Sequence, residues 1–512
     1  MAAPCHDNRA MTEALRALLA RRPDSVEARL GLAQACIAAR DLAGAAAWLS
    51  DACRVAPGAV EPASALAEVL MAQEQYGQAL PVYEVLYRRL GARDRATLLH
   101  YGYCLEMTGD IDGAVVRYRE ALVADPNFLE AHVDLAGVLW RLGDFEGSLQ
   151  HAQREAGIDP GHAHAVRILG TALLNLNRVD EALVHLRRAL ELKPDFALAE
   201  VDLAFGLLVA GRYAEGWAAY EKRWNDPRLS RPPYWQARTE WPGPAQPLQG
   251  QRVVVYVEQG LGDAIQFLRY LPLLQQAGAT VYPVVQPELA RLVEESFPGV
   301  TCRSPDQDLY ADWHVALLGL PHRFGTTLES VPARVPYLRV PAEHAALWKQ
   351  RMSVWDGKFK VGLAWSGMPR HVNDRNRSLR LSLLRPLLAL EGVQCFSLQK
   401  GDPGPFSDIV AVPGQLADLT PHWRDFRDSA AMVDELDLVI AVDTSAAHLA
   451  GALGKPVWVM LPPNPDFRWL LDREDSPWYP TMRLFRRGFG EAREQQVPRV
   501  EQALRALVAG RR

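Results

Sequence analysis

Five prolines in the first half of the chain fall on a regular grid, and a grid of that length leaves few folds open. Pro126, Pro160 and Pro194 are 34 residues apart, as are Pro23 and Pro57, and the 69 residues from Pro57 to Pro126 make two periods with one residue inserted near Gly91. Ten residues past each proline stands Ala33, Ala67, Ala136, Gly170 or Ala204, and 22 past stands Ala45, Ala79, Ser148, Ala182 or Gly216. The unit that lacks its proline has Gly102 and Ala114 in these places. Two helices that cross closely need small residues where they touch. Units that can bury a face only against their neighbours stack into a solenoid.

The period is that of the tetratricopeptide repeat, and the stretch Tyr101 to Pro126, YGYCLEMTGDIDGAVVRYREALVADP, resembles its consensus almost throughout. About six repeats are expected over residues 10–224, the first and last atypical as capping units tend to be. The unit ending at Pro160 departs from the pattern, with Glu155 where a small residue is usual. Stacked helical pairs present a concave surface, so the groove is expected to bind peptides or protein partners, with a rigid spacer as the alternative.

Residues 225–250 break the pattern with Pro227, Pro232, Pro233, Pro242, Pro244 and Pro247. Such density excludes a helix. Trp224, Tyr234, Trp235 and Trp241 argue for a strap docked on its surroundings, since large aromatics pack when they can.

The second half alternates short apolar runs with helical patterns, as two α/β domains over 251–345 and 346–512 would. Arg252 to Tyr256 reads as a strand, followed by Gly260-Leu261-Gly262-Asp263, a helical pattern AIQFLRYLPLLQQAG, a strand Ala279 to Val285 and a helix Pro287 to Phe297. Ile265 stands where a dinucleotide fingerprint needs its third glycine, and Asp263 would face a pyrophosphate, which argues against NAD or FAD. A carboxylate on such a turn is suited to taking a proton from a hydroxyl, or simply to capping its helix. Further on, Lys360 to Trp365 leads into a basic loop with Arg370, His371, Arg375, Arg377 and Arg380 beside Asn373, Asp374 and Ser378. Guanidinium groups bridge phosphate oxygens, so this loop is a candidate diphosphate site, with a solvated surface loop as the alternative. Strands are expected at Gln394 to Leu398, Leu438 to Val442 and Val457 to Leu461. Between the last two lies the turn Asp443-Thr444-Ser445 and a small-residue helix, Ala446 to Leu453, whose N-terminus offers N–H groups to an anion. Basic loop and turn leave parallel strands at the same sheet edge.

Gly260-Leu261-Gly262-Asp263 and Val442-Asp443-Thr444-Ser445-Ala446-Ala447-His448 with Ala450-Gly451-Ala452 resemble the GT-B glycosyltransferases of the heptosyltransferase type, glycosyltransferase family 9. Asn373-Asp374-Arg375-Asn376-Arg377-Ser378 looks like the bacterial branch that carries tetratricopeptide repeats before such a domain. The resemblance covers roughly Gln251 to the last residue. It implies two Rossmann-like domains across a cleft, with an acceptor-side first domain, a second domain holding the nucleotide sugar, and a final helix, Pro498 to Val508, crossing back to the first. It also implies Asp263 as the general base, and Gly260, Gly262, Arg375, Arg377, Ser378, Asp443, Thr444, Ser445 and His448 around the donor and its phosphates. Ser445 stands where the family usually has glycine, and arginines stand for its lysine.

The expected reaction is therefore transfer from a nucleotide sugar, which is a co-substrate and not a cofactor, to a protein or glycan acceptor that the repeats recruit. A single base points to inversion, and no D-x-D pair stands in a suitable loop, which points to a metal-independent reaction. Trp469, Trp478 and Tyr479 could stack on a nucleobase, although packing against a neighbouring domain is the plainer expectation. The competing readings are a non-catalytic scaffold with a degenerate transferase domain and a lipopolysaccharide heptosyltransferase proper. A net charge of −5 with mixed signs argues against nucleic acid, and six scattered cysteines argue against a zinc site or disulfides. Asp7 and Glu13 interrupt any signal-peptide core and no window approaches a membrane span, so a cytoplasmic location without a transmembrane segment is expected.

Overall fold

The computed structural model describes residues 5–91, 93–226, 229, 239–304, 310–368, 373–401 and 415–510. Arg370 and His371 of the basic loop, and Pro227, Pro232, Pro233, Tyr234 and Trp235 of the connector, lie outside the described residues. The chain divides into two compact units, Met1–Ala172 and Leu173–Arg512. The division falls inside the helix Ala163–Asn175 and not at the proline-rich connector, so the last repeat helices belong with the α/β part.

In the first unit the helices pair as the grid requires: Val26–Ala38 with Leu42–Val55, Val60–Ala72 with Tyr76–Arg88, Arg95–Thr108 with Ile111–Ala124, and Leu129–Leu142 with Phe145–Ile158. Three of the second helices begin alike. Asp41, Asp110 and Asp144 are N-caps whose carboxylates accept from the N–H of Gly44, Gly113 and Gly147 at 2.8, 2.9 and 2.9 Å. Glycine is needed there because a Cβ would stand 2.8 Å from the aspartate Cγ in each case. The small positions are contact points as expected: Ala33, Ala45, Ala67, Ala79 and Ala114 are buried, and a Cβ on Gly102 would meet the Tyr118 ring at 2.6 Å.

The second unit begins with the helices Val179–Leu192, Ala197–Val209 and Tyr213–Tyr220. Among the described residues its strands form two parallel sheets. The first, ordered β2-β1-β3, comprises β1 (Arg252–Tyr256), β2 (Thr280–Val284) and β3 (Trp313–Ala316). The second, ordered β6-β5-β4-β7-β8-β9, comprises β4 (Phe359–Ala364), β5 (Val393–Ser397), β6 (Leu416–Ala417), β7 (Leu438–Val442), β8 (Val457–Leu461) and β9 (Met482–Arg486). Every residue of β4, β7 and β8 is buried, which is why these strands read as apolar runs broken only by Lys360 in β4. Strand β9 alternates Met482, Leu484 and Phe485 with arginines, as an edge strand can, and that charge hides it in the sequence.

Two expectations are corrected. The helical pattern after Asp263 is broken into Leu261–Phe267, a 3₁₀ turn Leu268–Tyr270 and Leu271–Gln276, because Pro272 has no N–H to continue the ladder. The final helix, Arg493–Ala509, does not cross to the first sheet: its buried Val497, Val500 and Leu504 join Phe359, Leu363, Ile440 and Phe485 in the core of the second. The strap is docked where it is described. Trp241 is buried with its ring 5.4 Å from that of Phe324, and the backbone N–H of Trp241 donates to His314 in β3 at 2.9 Å. Among the described residues no helix is long and apolar enough to cross a membrane.

Candidate functional site

In the larger sheet the chain runs outward from β4 through β5 to β6, then returns to β7 and runs the other way to β9. Strand order reverses between β4 and β7, which pair in parallel with Ala364 beside Ala441, and the crevice beyond their carboxyl ends is where open α/β sheets bind ligands.

The β4 side of this crevice is tied by a small network. Ser378, fully buried, accepts from the N–H of Gly367 at 2.9 Å and donates to the Asp374 carboxylate at 2.8 Å. Asp374 also receives the Arg377 Nε at 3.3 Å, and Arg377 Nη1 donates to the carbonyl of Asp443 at 3.1 Å. A side chain on Gly367 would run into this guanidinium and into Asp374. Arg377 is thereby stretched from the basic loop to the Asp443 turn. Arg375, two residues earlier, is exposed, and its carbonyl accepts from Arg493. The structure therefore brings Arg377 to the turn, while Ser378 is buried between Gly367 and Asp374 and Arg375 faces solvent.

The β7 side is the turn itself. Thr444 is the N-cap of the helix Ser445–Ala452 with an extended backbone, and its hydroxyl donates to the Val442 carbonyl at 3.3 Å instead of capping. The N–H groups of Ser445 and Ala446 therefore receive no side-chain cap, while those of Ala447 and His448 donate to the Thr444 carbonyl. His448, one turn along, is buried, stacked on Trp469 (5.5 Å between ring centroids, 23° between planes), with Nε2 3.8 Å from Asp443 Oδ1.

The first sheet supplies the facing wall. Strand β1 ends in Glu258-Gln259-Gly260, and Gly260 is the N-cap of Leu261–Phe267. Asp263 Oδ2 accepts from the Gly260 N–H at 3.0 Å, so the aspartate does cap its helix, while Oδ1 is paired with Arg468. Gly262 is where the two halves meet. A Cβ there would stand 3.1 Å from His448 Cδ2 and 3.6 Å from Ser445 Cα and N, so the helix N-termini beyond β1 and β7 abut. Glycine is required by this approach and not by its backbone angles.

Arg468 joins the halves. Its guanidinium reaches Gln266 Oε1 at 2.6 Å, Asp466 Oδ1 at 2.6 Å and Asp263. Burial opposes its charge, but Asp466, Asp263 and Asp443 outweigh that and raise it above the ordinary arginine range. Burial, with the Asp466 charge behind it, pushes Asp443 above the usual carboxylate range despite Arg377 and Arg468. His448 goes the other way: burial and the charges of Arg468 and Arg269 hold it well below its ordinary value, so it is neutral. Its tautomer follows from its neighbours. Tyr337 donates to the Ile265 carbonyl at 3.0 Å and accepts from Arg269 at 3.1 Å; Tyr479, 3.3 Å away, must then donate to Tyr337 and accept from His448 Nδ1 at 3.0 Å. Nε2 is left as a bare acceptor beside Asp443.

Sequence reasoning did not reach Arg468, Tyr220 or Arg223. Arg468 lies in an aromatic, charged segment after β8 with no motif around it. Tyr220 and Arg223, at the end of the last repeat helix, bind the glycine loop: Gln259 Nε2 donates to the Tyr220 hydroxyl, and Arg223, 2% exposed, pairs with Glu258 at 2.6 Å and Glu221 at 2.9 Å. Trp478 and Tyr479 are fully buried, and Trp478 packs on Tyr213, Trp217 and Phe267 with its indole N–H donating to Tyr213 at 3.0 Å. Their rings serve packing, as the plainer expectation held, and are not offered to a base. A cavity of about 380 Å³ opens beyond β8 and β9, lined by Pro462, Pro463, Leu471, Arg487 and Phe489 among others.

Comparison with known proteins identifies the repeats. Residues 12–60, 64–127 and 109–163 match one tetratricopeptide repeat family, and residues 168–196 match another. The helical region therefore carries tetratricopeptide repeats. The protein FlbA of Caulobacter vibrioides is 28% identical over 483 residues, covering 88% of this chain and 74% of its own. Among solved structures, YrrB, described as a tetratricopeptide protein with an unusual peptide-binding site, is 21% identical, covers 37% of this chain and 96% of its own, and has a TM-score of 0.34. A tetratricopeptide repeat protein from Parabacteroides merdae is 18% identical, covers 38% of this chain and 78% of its own, and has a TM-score of 0.35.

Proposed function

We propose that this chain is a glycosyltransferase of the two-domain GT-B kind, moving a sugar from a nucleotide-sugar donor to a protein or glycan acceptor with inversion and without a required metal. The observation that supports the reading is the meeting of two helix N-termini where Gly262, the residue before Asp263, approaches Ser445 and His448 next to a sheet's reversal point. In this mechanism the acceptor hydroxyl oxygen attacks the anomeric carbon as the bond from that carbon to the phosphate oxygen breaks. The hydroxyl proton passes to Asp263, and the nucleoside diphosphate leaves with the bonding pair. Arg377 and the uncapped N–H groups of Ser445 and Ala446 offset the charge that develops on the leaving oxygen. Asp443 and the bare Nε2 of His448 are placed to hold sugar hydroxyls. Arg468 and the Gly260 N–H fix the direction of the Asp263 carboxylate, whose side chain keeps 21% of its surface open.

The ion pair between Asp263 and Arg468 also favours a second reading, a scaffold whose transferase part has become structural. A thermal-shift screen of the full chain against UDP-, GDP-, ADP-, dTDP- and CMP-sugars separates the two. A donor at a hundred times its Kd adds about 2.7 kcal/mol of stability, and the transferase reading expects one donor to do so. Asp263→Ala is expected to keep that shift and lower transfer by at least about a hundredfold. No shift with any donor supports the scaffold, and equal loss of binding and transfer removes Asp263 from the role of base.

A further inference from the structure

Two neighbouring arginines at the end of β9 are engaged very differently. Arg486 donates to the carbonyls of Arg473, Leu470 and Trp469 at 2.9 Å or less, and so holds the loop in which Leu470 and Asp472 have a φ of 52°. Arg487 reaches the carbonyls of Glu491 and Asn376 at 3.3 and 3.4 Å, both longer than a good N–H···O bond. Arg493, in the first turn of the final helix, donates to the carbonyl of Arg375, so the guanidinium groups of Arg487 and Arg493 converge on consecutive carbonyls. Among the described residues neither group is bonded to a carboxylate. Burial, followed by the charges of Arg487 and Arg375, lowers Arg493 to about 10, and burial lowers Arg487 as well despite Glu491 and Glu494.

Arg487 lines the cavity of about 380 Å³ beyond β8 and β9. The other charges in its lining offset one another: Arg499 pairs with Glu491 at 2.7 Å, and Asp472 acts on Arg486, which leaves Arg487 in excess. The rest of the wall is apolar, with Pro462, Pro463, Leu471 and the exposed ring of Phe489. A larger cavity of about 670 Å³ shares Asp472, Arg486 and Arg499, but its remaining arginines are paired, Arg473 with Asp475 at 2.6 Å and Arg483 with Glu474 at 3.4 Å. The unmet positive charge therefore belongs to the smaller one. Its place beyond the carboxyl ends of parallel strands is where such sheets bind ligands. Two guanidinium groups without carboxylates match one phosphate, which carries about −1.5 to −2 at pH 7, and the wall beside them suits a flat or apolar body.

We propose that this cavity binds an organic phosphate, with the phosphate on Arg487 beside Arg493 and the body on Pro462, Pro463 and Phe489. The site is separate from the crevice between β4 and β7. Arg377, in the short helix Asp374–Arg377, turns to the carbonyl of Asp443, whereas Arg487 and Arg493 approach that helix at the carbonyls of Asn376 and Arg375. The proposal does not rest on the transferase reading and fails or stands apart from it.

The test is isothermal titration calorimetry of the full chain carrying Arg377→Gln, which removes the guanidinium of the crevice. The probes are AMP and glucose 1-phosphate, with adenosine and glucose as the same bodies without the anion. At least one of the two phosphates is expected to bind at one site per chain and neither neutral body to bind; the phosphate that binds shows whether the body is a nucleoside or a sugar. Adding Arg487→Gln or Arg493→Gln should weaken that binding at least about tenfold. Arg505→Gln, on the same helix as Arg493 and paired with Glu501 at 2.7 Å, should leave it unchanged. Each of the first two variants removes a charge without a counter-ion, so without ligand neither should melt below its parent. Absence of binding by both phosphates, binding that both variants leave unchanged, or equal binding of the neutral bodies would each overturn the proposal. Variants that melt several degrees lower without ligand would make the two arginines structural latches and overturn it too.

Discussion

One buried carboxylate of the repeats, Glu155, is treated in the opposite way to those of the α/β part. Around the crevice, Asp263 and Asp466 rest on Arg468, Asp374 on Arg377 and Glu258 on Arg223, each pair closed within the fold. In the repeats, Glu155 is buried with neither oxygen hydrogen-bonded, and its charge falls on Asp134 together with those of Glu106 and Glu130. Closed pairs give a site whose geometry is set before any ligand arrives, at the cost of desolvating both partners. A buried carboxylate without a partner instead carries its desolvation cost uncompensated.

Removing one member from each region should show this difference in sign. The largest effect is expected for Arg468→Met, which strands Asp263 and Asp466 and should lower the stability of the second unit by about 3–5 kcal/mol in denaturant titration. A loss below about 1 kcal/mol would mean that the ion pairs contribute little and that the shared apolar core around Trp217, Phe267 and Trp478 carries the junction. Glu155→Ala should act the other way, restoring the residue the period calls for and stabilising the repeats by about 1–3 kcal/mol. A destabilised Glu155→Ala chain would show that the carboxylate already has its compensation inside the fold.

The smallest effect is a slope with pH. Burial, followed by Glu106, Glu130 and Glu155, pushes Asp134 up to about 7. The folded chain then holds a proton that the unfolded chain releases above about pH 4, so this residue's contribution to stability falls as pH rises from about 4 to 7. His151 runs opposite: burial, then His132 and Arg119, hold it at about 4, so its contribution rises with pH between there and about 6.5. The two partly cancel in the native chain. Comparing melting temperatures of Asp134→Asn and the native chain isolates the first: the gap should shift in favour of the variant by a few degrees between pH 5 and pH 8. A gap that stays constant would remove Asp134 from the acidic cluster.

The two regions also differ in how openly they are written in the chain. Helix pairs, their crossing points and even the odd residue Glu155 can be read from the 34-residue grid, because each repeat meets the same local packing problem and solves it with the same small residues. Strands β1, β4, β7 and β8 are nearly as plain, since burial on both faces makes them apolar runs broken only by Arg252 and Lys360. Strands β3, β6 and β9 are not, being short or charged at the sheet edge. Within the site, the glycine loop and the Asp443 turn stand out because each lies at the end of a readable strand. Arg375 shows the limit of that reasoning: a cluster of arginines in sequence does not tell which of them turns inward.

What the amino-acid order determined by itself was therefore everything governed by local spacing: the repeat, the position of the connector, the central strands and the turns that follow them. What only the tertiary structure decided was which of those turns face each other. Gly262 against Ser445 and His448, Arg468 against Asp263, and Arg223 beneath Glu258 all join residues well separated in the chain. No periodicity reports such contacts, because they arise from the packing of whole elements around one shared core and not from the propensities of the segments that carry them.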